Sequence, residues 1–492
     1  MERKYKRIRC GRLYDGVTEE WQENRQILVE DRRIAAVGES VPAPEGTEEI
    51  DLSAYQVTPG LIDAHMHMDF FDWHTIREEV YTTSEESKTL AIARCAKKAL
   101  QRGFTTVRHV GGITGKGYGV LDVKRAINAG YLEGARIMAA PLFLCSPGSH
   151  GDLSQGFSRN PELSAMLQRQ RTTLGNGKDF FVGAVREQIK YGSDFIKIMA
   201  TGGFFTPNDT PVQQQLNDEE LEAIIRTAHE LGKTVTAHVY TPQLMQKLIR
   251  FGIDGMEHGS LMDEETAAMF EDKGLYLVPT FSPYEEAMHY DPEAIKDKQP
   301  EFRQKLELYK DALQAGREVI CGSRIKLGYG TDFVANHQNY ESGYEFMAWM
   351  NSGMDPFRAL MAATRINAGI LGLQDEIGSL EPGKSADISA WSRDIMHDPK
   401  ALPPPRTMAW MVCAAIRGFS RGVSREAGPP PRMSTPARNP SSQISTVQPV
   451  PAFTFSVCPI LIPRISLIGS SVIAVPPRFS LLPVQARQDS VS

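Results

Sequence analysis

Two histidines one residue apart, His65 and His67, close the apolar run VTPGLIDAHMH. Side chains at i and i+2 of an extended strand share one face, so both imidazoles can reach a single cation. Four more groups fall in like settings: Lys197 in DFIKIMATGG, His238 in KTVTAHVY, His258 in IDGMEHGS and Asp332 in IKLGYGTDF. Singly, each has an ordinary reading, such as a core histidine or, for Asp332 after Gly330-Thr331, a helix N-cap. Jointly, they place polar groups at the same end of β-rich runs separated by helical patterns. That is how a (β/α)8 barrel brings the ends of several strands to one catalytic centre, here one with metal-binding side chains.

Lys197 interrupts an apolar strand of Phe195, Ile196, Ile198 and Met199. An unpaired ammonium there costs on the order of several kcal/mol. It also has no lone pair to offer a metal. After reaction with CO2 it becomes a carbamate, whose two oxygens can bridge two cations; an ion pair with a nearby acid is the other reading.

The elements that must position these groups are legible. Lys6–Leu13, Arg25–Val29 and Arg33–Val37 read as short strands broken by Gly38, Pro42, Pro44 and Gly46, which suits a small β-sandwich over residues 1–58. Eight barrel strands are expected at Leu61–His65, Thr105–Arg108, Arg136–Ala139, Phe195–Met199, Thr234–His238, Gly255–Glu257, Tyr276–Pro279 and Lys326–Tyr329, within a barrel domain of residues 59–372. Asn217 with Glu220 opens a helix striped by Leu221, Ile224, Ile225, Ala228 and Leu231; Asp355-Pro356 opens another. Residues 144–182 read as a long Gly-rich loop on the catalytic face. The stretch Ile377–Trp391 returns to short strands, so residues 373–425 are expected to rejoin the sandwich. From Pro403 onward come 15 of the chain's 31 prolines, nine arginines and only two acids, Glu426 and Asp489. That break in composition predicts an irregular tail over 426–492, disordered or read in a shifted frame.

Composition excludes several classes. The 41% apolar and 23% charged content is that of a globular protein, and a net charge of −6 leaves no electrostatic footprint for nucleic acid. MERKYKRIRC is followed by no apolar h-region, and no run is long and apolar enough to span a membrane. Cys10, Cys95, Cys145, Cys321, Cys413 and Cys458 form no CxxC pair, which predicts reduced thiols in a cytoplasmic protein.

The segments PGLIDAHMH, IKIMATGG, AHVY, MEHGS, GTD and NAGILGL…GSLEPGKSADI resemble the amidohydrolase superfamily, in the imidazolonepropionase-like branch that contains ochratoxinase and the Xaa-Pro and Xaa-Arg dipeptidases. The likeness runs from about residue 6 to about residue 400. It implies an α/β fold, a (β/α)8 TIM barrel with a small β-sandwich built from the segments before and after it. It implies two divalent ions, zinc above all. His65, His67, Lys197 and Asp332 would hold one, and Lys197, His238 and His258 the other, with Lys197 as a bridging carboxylysine. Asp332 would be the proton carrier for a hydroxide between the two zincs. His150, in SPGSHGD, matches a loop histidine that contacts a substrate carbonyl or carboxylate, or else braces its loop. Tyr240 shares a side with His238 and could donate to an oxyanion. The implied reaction is hydrolysis of the amide bond of an N-acyl amino acid or dipeptide by a homo-oligomer. The alternatives are mononuclear hydrolysis or deamination of a cyclic amidine or imidazolone, and a non-catalytic scaffold. Phe70, Phe71, Trp73, Phe204, Phe205, Phe281 and Tyr284 suggest a pocket for an apolar acyl group, or loop anchors.

Overall fold

The structure is a computed structural model that describes residues 3–69, 83–112, 117–157, 159–169, 171–288, 300–333 and 344–395. Phe70, Phe71, Trp73, Cys413, Cys458, the sandwich segment beyond residue 395 and the tail 426–492 lie outside the described residues, as do His74, His289, His337 and His397.

The chain opens with β1 (Tyr5–Leu13), β2 (Gln22–Glu30), β3 (Arg33–Gly38) and β4 (Glu48–Pro59). Next come β5 (Leu61–Met66), β6 (Phe104–Gly112), β7 (Arg136–Leu142), β8 (Ile196–Met199) and β9 (Val235–Val239), then β10 (Gly255–His258), β11 (Tyr276–Val278), β12 (Lys326–Leu327) and β13 (Ile388–Trp391). Strands β13-β4-β1-β2-β3 form one mixed sheet, with β1 antiparallel to β2 and parallel to β4. Its core joins Ile8, Leu13, Ile27, Val29 and Val57 to Leu380 and Ile388, so the late segment does return to the N-terminal strands. Among the described residues these strands make one five-stranded sheet. Strand β4 was not expected from the sequence. It pairs with β1 across a bulge at Gly11, where a Cβ would fall 2.1 Å from the Ser53 carbonyl oxygen, so only glycine fits.

The eight remaining strands are parallel, in the orders β5-β6-β7 and β12-β11-β10-β9-β8. They fall where the apolar runs predict. However, β6 continues through Arg108 and His109 to Gly112, because both side chains are buried.

The helix Asp218–Glu230 carries the expected capping box between Asn217 and Glu220, and buries Leu221, Ile224, Ile225 and Ala228. Leu231 falls past its end and is exposed. Asp355 caps Pro356–Met361, which runs through a wider turn at Ala362–Ile366 into Asn367–Ile370. Asn367 Nδ2 donates to the carbonyls of Ile62 and Tyr329, tying β5 to the segment that leads to Asp332. Residues 144–182 are not one long loop. They contain a 3-10 turn at Leu153–Phe157, the helix Pro161–Arg169 and the start of the helix Lys178–Tyr191. Pro161–Arg169 buries only Leu167, so it left no apolar stripe to read.

Among the described residues no helix is long and apolar enough to cross a membrane. Cys10, Cys95, Cys145 and Cys321 are free thiols.

Candidate metal centre

Backbone pairing brings the first three groups together. The Asp332 N–H donates to the His65 carbonyl at 2.7 Å, and the His67 N–H to the Phe333 carbonyl at 2.9 Å. Asp63 braces this junction by accepting from the Thr331 hydroxyl at 2.7 Å and from the His65 N–H at 3.0 Å.

Hydrogen bonds then fix the rings. His65 Nδ1 donates to Glu257 Oε2 at 2.7 Å, and His67 Nδ1 donates to the Gly111 carbonyl at 2.6 Å. A carbonyl and an ionised carboxylate only accept, so each ring carries its proton on Nδ1 and keeps the Nε2 lone pair. Those two Nε2 atoms lie 3.2 and 3.5 Å from the same Asp332 Oδ1. The His65 Nε2 is buried and makes no hydrogen bond. Three electron-rich atoms facing one point repel unless a cation or a proton stands among them. The ligand atoms of the trio all lie within 4.8 Å of one another, and two imidazoles with a carboxylate suit a divalent transition ion. Burial, the largest influence, and Lys197 would lower the His65 ring, but Asp332 and Glu257 outweigh them and raise it. Burial would likewise raise the Asp332 carboxyl, yet His65, His67 and His258 hold it well below the ordinary carboxylate range.

A second group adjoins the first. Lys197 sits within β8, His238 within β9 and His258 ends β10. The His238 and His258 rings are 4.5 Å apart, and His258 is 5.0 Å from His65. His258 Nδ1 lies 2.7 Å from the Thr280 hydroxyl. His238 Nε2 lies 3.3 Å from the Gly202 carbonyl, which leaves Nδ1 with its lone pair. Burial above all holds both rings well below the usual histidine range, so both are neutral. Lys197 is 1% exposed, and burial pushes its ammonium down to about 8 against the pull of Glu257 and Asp332.

Backbone strain gathers at the same place. Five described non-glycine residues have left-handed φ, and three of them are His258 (68°), Thr280 (49°) and Asp332 (51°). Each such position costs on the order of 1–3 kcal/mol and persists where its surroundings over-determine it, which is the habit of functional sites.

The two accessory candidates border the second group. His150 stacks on His238 at 4.6 Å and 19°, with Gly203 against it; a Cβ at Gly203 would fall 2.2 Å from the imidazole. Tyr240 stacks on His258 at 5.3 Å, and its hydroxyl shares a hydrogen bond with that of Tyr284. An oxyanion role would require Tyr240 to point its proton away from Tyr284. His109 is buried and accepts the Met68 N–H at 3.2 Å, and burial pushes its ring down to about 3. It braces the turn after β5 as a neutral ring. His229 is exposed and pairs with Asp254 at 2.8 Å. The described aromatic residues pack on neighbouring rings: Phe204 and Tyr284 with Tyr240 and Phe302, Phe205 on Phe302, and Phe281 on Trp349.

Two residues missed in the sequence support the centre. Glu257 is fully buried and accepts from Arg108 at 3.0 Å, Thr236 at 2.6 Å and His65. The argument that singled out Lys197, a charge inside an apolar strand, applies equally to Arg108 in TTVRHV and Glu257 in GMEH.

Residues 56–417 match the Amidohydrolase family. The chain belongs to that family. It is 27% identical to the ochratoxinase of Aspergillus niger over 418 residues, covering 80% of this chain and 83% of that one. The crystal structure of A. niger ochratoxinase superposes with a TM-score of 0.70 at 27% identity, over 82% of this chain and 93% of that one. A Xaa-Pro dipeptidase crystallised with methionine in its active site gives 0.70 at 27% identity, over 81% and 96%.

Proposed function

We propose that this amidohydrolase cleaves the C–N bond of an N-acyl amino acid or dipeptide with the help of two divalent ions, zinc before others. His65, His67, Lys197 and Asp332 would hold one ion, and Lys197, His238 and His258 the other. The observation that carries the reading is the convergence of the His65 and His67 Nε2 lone pairs on Asp332 Oδ1, the His65 one buried and making no hydrogen bond. The likeness to ochratoxinase and to a dipeptidase with an amino acid in its active site supports the substrate class. The parallel strands are read as one (β/α)8 barrel over residues 59–372, with a β-sandwich from 1–58 and 373–425. Hydrogen bonds of Leu144 with Lys197 and Met199, and of His67 with Phe333, join the edges of the two parallel sheets in support of closure.

When bound, the ions supply a water acidified toward neutral pH and a polarised carbonyl. Asp332 takes the proton that the attacking water loses and returns it to the amine nitrogen as the C–N bond breaks, giving a carboxylic acid and an amine. The lowered Lys197 suits carbamate formation: its free amine bonds to the carbon of CO2 and releases a proton, replacing a buried cation with an anion. Glu257 holds His65 in the tautomer that turns a lone pair inward, and Thr280 orients the His258 ring.

The test is a panel of N-acyl amino acids and dipeptides assayed with zinc, together with metal content per chain. Amide hydrolysis with about two ions per chain is expected. A single ion with turnover of a cyclic amidine would replace this reading with the mononuclear one.

A further inference from the structure

A closed hydrogen-bond ring surrounds His150. Its backbone N–H donates to Gln215 Oε1 at 2.8 Å, and Gln215 Nε2 donates to Asp209 Oδ2 at 3.2 Å. The Thr206 hydroxyl donates to Asp209 Oδ1 at 2.5 Å and lies 2.9 Å from His150 Nδ1, which completes the circuit. Lys305, on the helix Pro300–Gly322, closes it from behind. Its ammonium donates to Asp209 Oδ1 at 2.9 Å and to the carbonyls of Gly203 at 2.7 Å and Thr206 at 2.5 Å. Asp209, Thr206 and Lys305 are all buried.

The direction of each bond follows from the chemistry of its ends. Asp209 against Lys305 is a carboxylate and can only accept. Thr206 has one hydroxyl proton, and the contact with Asp209 uses it, so Thr206 turns a lone pair toward His150. We propose that Asp209, acting through Thr206, is a positioning residue that fixes the His150 proton on Nδ1 and leaves Nε2 as the working nitrogen. Nε2 makes no hydrogen bond among the described residues, and the ring that carries it lies on His238. With its proton on Nδ1, the ring turns the Nε2 lone pair toward an N–H or O–H of the ligand. Phe205 stacked on Phe302 at 4.4 Å holds the same loop to the same helix by apolar contact, so ring and loop are positioned together.

The test is NMR of the histidine ring nitrogens in the zinc-loaded full chain, at a pH where the rings are neutral. His150 is assigned by the signals lost in His150→Gln. The expected wild-type pattern is a protonated Nδ1 and an unprotonated Nε2. Thr206→Val should lose the protonated-Nδ1 signal, and Thr206→Ser, which keeps the hydroxyl, should retain it. A wild-type ring protonated on Nε2, or a Thr206→Val spectrum identical to wild type, would overturn the proposal. Where Thr206→Val does not fold, the wild-type spectrum alone decides. The readout needs no turnover, so it fails or stands independently of the amide-hydrolysis reading.

Discussion

Glu257 grips His65 from behind: its Oε2 accepts from His65 Nδ1 at 2.7 Å while its Oε1 takes Arg108 at 3.0 Å. Burial would raise its carboxyl, but Arg108 and His65 outweigh burial and hold it below the ordinary range. Such outer partners fix a ligand's tautomer, and losing one typically costs about 10–100-fold in metal affinity. Glu257→Gln should therefore weaken metal binding by about that factor in a zinc titration. It should also destabilise the fold by about 3–5 kcal/mol in urea, because Arg108 is left buried without its counter-charge. Adding Arg108→Met should restore part of the stability but none of the metal affinity. A Glu257→Gln chain that binds zinc as tightly as wild type would remove Glu257 from the site's support.

Lys197 bears on the number of metals. If its carbamate joins the two groups of ligands, Lys197→Ala should drop metal content from about two ions per chain to one or fewer and abolish nearly all activity. Short carboxylic acids added to the variant should restore some turnover by standing where the carbamate stood. Metal content and turnover unchanged in Lys197→Ala would leave no place for a bridging group.

Most of this centre was legible because its residues break local rules: HMH at a strand end, and a lysine among Phe195, Ile196, Ile198 and Met199. Each anomaly is visible in one short segment. Arg108 and Glu257 break the same rule, but they balance each other across strands far apart in sequence, so their pairing shows only once the strands are assembled. The ring around His150 was harder still. Thr206, Asp209, Gln215 and Lys305 are ordinary polar residues in the sequence, and the burial of Thr206, Asp209 and Lys305 appears only with the packing of Pro300–Gly322 against the loop. Strand β4 escaped because its partner face depends on a bulge at Gly11, a property of two strands at once.

Asp332 is assigned two tasks that one substitution separates. Asp332→Asn keeps an oxygen that can touch a metal but removes the proton acceptor. Turnover should fall by about 100- to 10,000-fold, the usual worth of general acid–base help, while metal content stays near wild type. Loss of metal in step with activity would make Asp332 a ligand alone, and near-normal turnover would assign the proton transfer to another group.

Glu345 makes the stability of the centre depend on pH. It is fully buried and accepts the backbone N–H groups of Phe281 at 3.1 Å and Ser282 at 2.7 Å, and Trp349 Nε1–H at 2.8 Å. Burial, the largest influence, pushes its carboxyl from 4.5 up to about 7 despite these donors. Between those values the folded chain holds a proton that the unfolded chain has released. The contribution to stability is therefore full below about pH 4.5 and is lost as pH rises through about 7. It amounts to on the order of 3 kcal/mol at most. The residues Glu345 holds are next to the site: Phe281 and Ser282 follow Thr280, which touches His258, and the Ser282 hydroxyl donates to the Thr331 carbonyl beside Asp332. Urea unfolding of wild type should show a decline across this window beyond that of Glu345→Gln, whose side chain carries no titrating proton. Parallel curves for the two proteins would show that Glu345 is ionised throughout, with its three donors prevailing over burial.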